Sequence, residues 1–225
     1  MSKKNEELLP FKSYSSGHLF SIAKQAYERT IGDKSDREPG KKDALIAVVF
    51  AASSLEAFIN ELADLATAEL SQPHSESAKV FASLMDEIEN SRGSIRLKFM
   101  LAKFVLSGST YRKDEQLFQD FNNLFMVRNA LVHLKPEEEF NITLDGHFIR
   151  VKEPKVLKAL PKNILAKYEK KTAANWKSMI STQAAAKWAC NTAARMVRSI
   201  IDVIPESLFK KFADLQYSNT FQPIK

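Results

Sequence analysis

An arginine and a histidine five residues apart are the clearest candidates for chemistry in this 225-residue chain. Arg128 lies on an apolar helical stripe, where the i, i+3, i+4, i+7 spacing from Phe121 predicts another apolar side chain. A guanidinium there must pair with an acceptor or open onto a cavity, because burying an unpaired charge is costly. His133 lies about 140° further around the same helix, in its last turn, where the helix dipole favours a protonated imidazole.

An isolated carboxylate in an otherwise apolar stretch offers a partner for this arginine. Glu56 is the only charged residue between Ala44 and Ile59, and Asn60 follows one helical turn later on the same side. An ion pair with Arg128 would explain why a carboxylate is placed among apolar residues. We therefore expect Glu56 and Arg128 to be in contact, with Asn60 nearby.

Composition and periodicity predict an all-α fold around these residues. The chain has only 6 Gly, and its frequent Ala, Leu, Lys and Glu favour helices over a turn-rich sandwich or barrel. The second helix has an apolar seam for packing, formed by Leu45, Val48, Ala52, Leu55, Ile59, Leu62 and Ala66. Helices are predicted over residues 15–30, 42–70, 75–90, 93–107, 113–135 and 172–203, with a short last helix within 205–216.

One stretch departs from the helical period. Between residues 140 and 152, two short alternating runs flank Asp145-Gly146, a dipeptide suited to the positive φ angles of a hairpin turn. We predict a small β-hairpin after the helix that carries Arg128. The chain is then a single domain over 1–225, with a helical core at 15–135 and 172–203, the hairpin, and a C-terminal tail at 204–225.

The motif residues resemble the HEPN family (higher eukaryotes and prokaryotes nucleotide-binding domains). Its signature is an Arg, usually followed by a polar residue, and then a His after a gap of four to six residues; here it is Arg128-Asn-Ala-Leu-Val-His133. The segment 53–60 is similar to the long helix of several prokaryotic members. The resemblance covers residues 15–135 and the helix over 172–203, and implies a HEPN-like helical bundle with a long central helix.

The resemblance also implies a function, a metal-independent endoribonuclease acting at a composite homodimer site without a cofactor. An RNA 2′-OH attacking the adjacent phosphate needs proton transfer, which suits His133 as general acid or base. Charge on the phosphoryl oxygens needs a fixed bidentate cation, which suits Arg128. Asn129 and Glu56 would orient these two side chains, with Asn60 in support. Members of this kind include toxins and phage-defence effectors, and an antitoxin or operon partner protein would be a further binding partner.

Basic residues are concentrated after the motif. Residues 1–110 carry 14 Lys+Arg against 15 Asp+Glu, whereas residues 111–225 carry 19 against 12. Residues 150–187 hold ten basic side chains, opposed only by Glu153 and Glu169. Such a run is either a solvated helix face or a surface that binds RNA phosphates by counterion release. For the second alternative we expect contacts from Lys152, Lys155, Lys158 and Lys162.

The remaining features set the expected surroundings of the protein. A single cysteine, Cys190, excludes an internal disulfide and a thiolate cluster, and the scattered His18, His74 and His147 do not have metal-ligand spacing. No export signal is recognisable, and the apolar stretch Ala44–Ile59 is shorter than the roughly 20 residues that span a bilayer. We expect a cytoplasmic protein that does not enter a membrane.

Two other functions remain open at this point. In the first, the chain is a non-catalytic HEPN interaction module that binds nucleotide, RNA or a protein partner, and Arg128 forms only a structural ion pair. In the second, it is a plain helical assembly domain. Both would have the same fold and no catalytic activity.

Overall fold

The computed structural model of the chain describes residues 14–32, 42–68, 76–133, 139–142, 144, 148–152, 154–165 and 176–225. Helices make up most of these residues, so the prediction of an all-α fold is confirmed. The first five are α1 (Ser16–Gly32), α2 (Lys42–Ala68), α3 (Glu76–Asn90), α4 (Ile95–Ser107) and α5 (Gln116–Val132). The later ones are α6 (Lys155–Ala159), α7 (Trp176–Ile180), α8 (Gln183–Ile201) and α9 (Leu208–Ala213).

The central element is α2, as its apolar seam predicts. All seam residues except the half-buried Leu45 are buried, and α2 packs against α1, α3, α5 and α8. By length and hydropathy alone α2 also meets the criterion for a membrane span, with 50% of the apolar window buried inside the protein. The core helix of a helical bundle meets the same criterion, because it too is apolar on most sides.

The motif helix α5 is shorter than the sequence predicts at both ends. It begins at Gln116 rather than at 113, because residues 113 and 114 form a turn and Glu115, the N-cap, has an extended backbone. It ends at Val132 rather than near 135, and His133 is the capping residue. The predicted stop at Pro136 lies outside the described residues. Phe121, at the middle of α5, is fully buried among the rings of Phe99, Phe118 and Phe125.

After α5 the chain contains two short strands and then a return to helix. β1 (Glu139–Ile142) and β2 (Phe148–Lys152) pair antiparallel, with Phe140 opposite Arg150 and Ile142 opposite Phe148. The predicted Asp145-Gly146 turn lies outside the described residues. Pro154 then precedes α6, and a 3₁₀ turn follows at Lys162–Ile164.

The prediction of one long helix over 172–203 is wrong. Residues 172–175 are outside the described part of the chain, and the rest forms two helices, α7 and α8, separated at Ser181 and Thr182. Thr182 has an extended backbone, and its hydroxyl accepts the Ala185 N–H at 2.9 Å, so it is the N-cap of α8. Its Oγ1 also donates to the Ile164 carbonyl at 2.6 Å, and the break therefore connects α8 to the segment that follows the strands.

The C-terminal residues are part of the core rather than a tail beside it. The predicted last helix is present as α9 and continues as a π-helical turn at Asp214–Ser218. Tyr217 and Phe221 are buried, with the Tyr217 ring edge-on to Phe58 at 5.0 Å and the Phe221 ring stacked on Phe20 at 4.5 Å. These rings connect the C-terminus to α1 and α2.

Candidate functional site

An ion pair between α5 and α2 is the centre of the site. Arg128 Nη2 donates to Glu56 Oε2 at 2.9 Å, so the contact expected from the sequence is confirmed. The two side chains are 23% and 37% exposed, which places the pair at the edge of the core. Arg128 Nε is buried and has no hydrogen-bond partner within the described part of the chain. The guanidinium is therefore held by Glu56 through Nη2, while its buried Nε has no partner among the described residues.

Asn129 contacts the same guanidinium from the neighbouring position on α5. Its Oδ1 accepts a hydrogen bond from Arg128 Nη1 at 3.0 Å, and Asn129 itself is exposed. Glu56 and Asn129 therefore hold the two terminal nitrogens of Arg128. Because a guanidinium is planar, two such contacts fix both its position and its plane.

His133 is at the end of the motif helix, with an exposed side chain. Its backbone N–H donates to the Asn129 carbonyl at 2.8 Å, which makes His133 the C-cap of α5 with φ −104° and ψ 71°. Five residues separate it from Arg128, a rise of about 7.5 Å along a helix. The imidazole and the guanidinium therefore project from the last two turns of α5, about 140° apart around its axis.

Asn60 has a different partner from the one that the sequence predicts. Its Oδ1 accepts a hydrogen bond from Lys98 Nζ on α4 at 2.6 Å, and Lys98 also forms an ion pair with Glu89 on α3. Lys98 is buried, and its ammonium needs both of these acceptors. The structure therefore places Asn60 in a link between α2, α3 and α4, rather than beside Arg128.

Three of the four predicted RNA-contacting lysines are exposed. Lys155 and Lys158 lie on the outer face of α6, and Lys162 begins the 3₁₀ turn. The side chain of Lys152, at the end of β2, lies outside the described part. On the opposite side, Val156, Leu157, Leu160 and Ile164 are buried, which orients the lysines toward solvent.

Part of the exposed surface of α5 is apolar, and we call it the motif face. It includes the exposed Met126 and Val132, the half-buried Ala130, and the exposed Asn129 and His133. Exposed apolar side chains among polar ones are a feature of protein interfaces.

Two residues of this region were missed by the sequence reasoning. Asn123 on α5 donates from Nδ2 to the Ala159 carbonyl at 2.9 Å, which attaches α6 to the motif helix. Nothing in its spacing predicts that partner, which is 36 residues away. Lys98 does carry a signal, since it falls between Ile95 and Ala102 on the apolar side of α4, as Arg128 does on α5.

Within the described ranges, no group of three or more His, Cys, Asp or Glu side chains has the arrangement of a metal site. Compared with protein-family models, with curated proteins and with solved structures, the chain matches none of them.

Proposed function

We propose that this protein is a metal-independent endoribonuclease that cleaves RNA by attack of a 2′-OH on the adjacent phosphate. The observation that supports the proposal best is the arrangement of Arg128. Glu56 and Asn129 each accept one of its N–H donors, while a guanidinium has five, and the Arg128 side chain is 23% exposed. A cation held in this way can bind phosphoryl oxygens without first losing side-chain entropy.

The reaction uses one imidazole as base and one as acid. The base removes the 2′-OH proton while the 2′ oxygen forms a bond to phosphorus. The bond between phosphorus and the 5′ oxygen then breaks, and the acid gives that oxygen a proton. The products carry a 2′,3′-cyclic phosphate and a 5′-hydroxyl, so no water or metal ion is consumed. His133 suits both roles because an imidazole can accept a proton on one ring nitrogen and donate one from the other.

A homodimer supplies the second imidazole. One chain offers a single His133 in the motif, whereas two chains related by a two-fold axis offer two such imidazoles and two guanidinium groups. The motif face gives the apolar surface that such a contact needs, since Met126 and Val132 are exposed beside Asn129 and His133. We propose that a second copy of this chain covers it.

Two observations test this function: the chemical groups at the ends of the RNA products, and the need for a 2′-OH on the substrate. Purified protein in EDTA should cleave RNA to fragments with cyclic phosphate and 5′-hydroxyl ends, and should leave 2′-O-methyl RNA and DNA intact. Cleavage of 2′-O-methyl RNA, or 5′-phosphate ends, would contradict the mechanism. In the cell, we propose, the protein acts in the cytoplasm as a toxin or a phage-defence effector, and an antitoxin or operon partner inhibits it.

The Arg128–Glu56 pair also favours a second candidate, a non-catalytic HEPN interaction module that binds nucleotide, RNA or a protein partner. There the ion pair would only join α2 to α5, as many structural pairs do. Thermal unfolding separates the two functions when it is measured together with RNA cleavage. A lower Tm for Arg128→Ala, with no RNA cleavage by the unaltered protein, would favour the module.

A further inference from the structure

The segment that follows the strands, residues 154–165, is fixed to the motif helix α5 and to α8 at two points. Near its middle the Ala159 carbonyl accepts from Asn123 of α5 at 2.9 Å, and near its end the Ile164 carbonyl accepts from Thr182 of α8 at 2.6 Å. We call these residues the lysine segment. Its buried Val156 and Leu157 hold the inner side, so the outer side has a defined orientation.

The lysine segment itself carries charge of one sign. Within residues 154–165 there are three basic residues and no Asp or Glu, whereas on the neighbouring α8 Arg198 lies 3.9 Å from the carboxylate of Asp202. On the lysine segment itself, Lys155, Lys158 and Lys162 are all exposed. A polyanion that passes over the lysine segment meets three exposed cations.

The distance from the lysine segment to the motif sets the size of the ligand. Its anchor on α5 is Asn123, and His133 lies ten positions later, about 15 Å further along the helix and about 80° around it. We therefore expect the lysines to bind phosphates other than the one at Arg128 and His133. A ligand that uses both must carry several phosphates along one chain.

We infer that the substrate is an extended single-stranded RNA whose backbone runs from the motif across Lys155, Lys158 and Lys162. This inference rests on the proposed function for the position of the cleaved phosphate. A dinucleotide has only one phosphate and so cannot occupy the motif and the lysine segment together. The lysines therefore select for chain length and not for base sequence, because they bind phosphates.

The test compares two ligands and two triple variants. One variant replaces Lys155, Lys158 and Lys162 with Ser, and the matched control replaces the exposed Lys42, Lys79 and Lys211, which lie in α2, α3 and α9. Both lower the net charge equally. Binding of a labelled mixed-sequence 2′-O-methyl RNA of about 20 nucleotides, which the proposed reaction cannot cleave, is measured by fluorescence anisotropy over a salt series. This length exceeds the roughly 4–16 nucleotides that a single-stranded site covers. Cleavage of the unmodified RNA and of mixed dinucleotides is measured in EDTA.

The lysine-segment variant should bind the long RNA at least about tenfold more weakly. The slope of the logarithm of the binding constant against the logarithm of the salt concentration should be smaller by about 2, because three phosphate contacts are lost. Its dinucleotide cleavage should stay within about twofold of the unaltered protein, since general acid–base groups are unchanged. The control variant should match the unaltered protein. Equal weakening in both variants, or unchanged RNA binding in the first, would overturn the inference, and unchanged binding would instead favour a protein ligand for this surface.

The experiment distinguishes failure of the proposed nuclease function from failure of the proposed RNA path. If the long RNA binds through the lysines but neither RNA is cleaved, the path for RNA stands and the proposed nuclease function fails. If dinucleotides are cleaved in a His133-dependent way while the lysine-segment variant binds long RNA normally, the nuclease stands and this path fails.

Discussion

Arg128 and Glu56 are 72 residues apart in the sequence, and their side chains are joined at 2.9 Å. The pair connects the motif helix α5 to the central helix α2, at the edge of the core where both side chains are partly exposed. It therefore has two consequences, one for stability and one for the plane of the guanidinium. The two can be separated by measurement.

The first prediction concerns the stability of the pair. Arg128→Gln and Glu56→Gln should each lower the free energy of unfolding, and the double variant should lose less than the sum. We expect a coupling energy of about 1 kcal/mol, because the pair is a charge-assisted hydrogen bond that is partly screened by water. Urea unfolding of the four proteins measures it, and a coupling energy near zero would show that the pair contributes nothing to the fold.

The same variants should separate orientation from charge in RNA cleavage. Glu56→Gln keeps an oxygen that can accept from Arg128, so we expect a smaller loss of activity than in Arg128→Gln, which removes the cation. The matched control is Arg29→Gln, which breaks an ion pair of 2.8 Å with Asp43 between α1 and α2. That control should leave RNA cleavage unchanged, and a loss there would mean that activity merely follows stability.

The second prediction concerns the motif face. Met126→Glu should convert a dimer into a monomer and lower RNA cleavage at least about tenfold, because a buried unpaired carboxylate opposes the contact. Light scattering after size exclusion gives the mass. The control is Leu215→Glu, at another exposed apolar residue, 77% exposed after α9. If Met126→Glu leaves both mass and activity as they were, a second copy does not cover this surface.

The third prediction concerns the start of α8. Thr182→Ala removes the N-cap of α8 and the bond to the Ile164 carbonyl, so it should destabilise the protein by about 1–2 kcal/mol. Thr67→Ala is the matched control, because Thr67 is exposed and, within the part of the chain that the structure describes, its hydroxyl donates to the Ala63 carbonyl of its own helix. Equal unfolding midpoints in urea for the two variants would argue against this role of Thr182.

The fourth prediction concerns pH and Cys190. Burial raises the pKa of the Cys190 thiol from about 9 to about 12. Below pH 9 the thiol is protonated in both states, and from pH 9 to 12 the unfolded state releases the proton first. Stability should therefore fall as the pH rises through this window, and less so in Cys190→Ala. A thiol reagent at pH 8 should label Cys190 only after unfolding, and rapid labelling of the folded protein would contradict this burial.

The sequence predicted the contact that could be inferred from the residue pattern within individual helices. A charged residue on an apolar stripe, such as Arg128, needs a partner, and Glu56 was the one isolated carboxylate on the central helix. The same reasoning could not place Asn60, because its partner Lys98 is brought to it by the packing of α4 and not by the pattern of α2.

The interrupted helix shows the same limit. Residues on both sides of Ser181 and Thr182 favour a helix, so periodicity continues through the break. The interruption depends on a hydrogen bond to Ile164, which only the folded chain brings close. Buried aromatic residues after Pro205 were likewise missed, since Tyr217 and Phe221 acquire their partners Phe58 and Phe20 from distant helices.

Comparison of the unaltered protein with His133→Ala in an RNA cleavage assay with EDTA tests the central claim most directly. His133 is exposed, and its contact in the fold is made by the backbone N–H, so the substitution should leave Tm unchanged. Loss of a general acid–base group should lower kcat/KM by about 10²–10⁴-fold. Equal cleavage by the two proteins, or none by the unaltered one, would contradict the nuclease function.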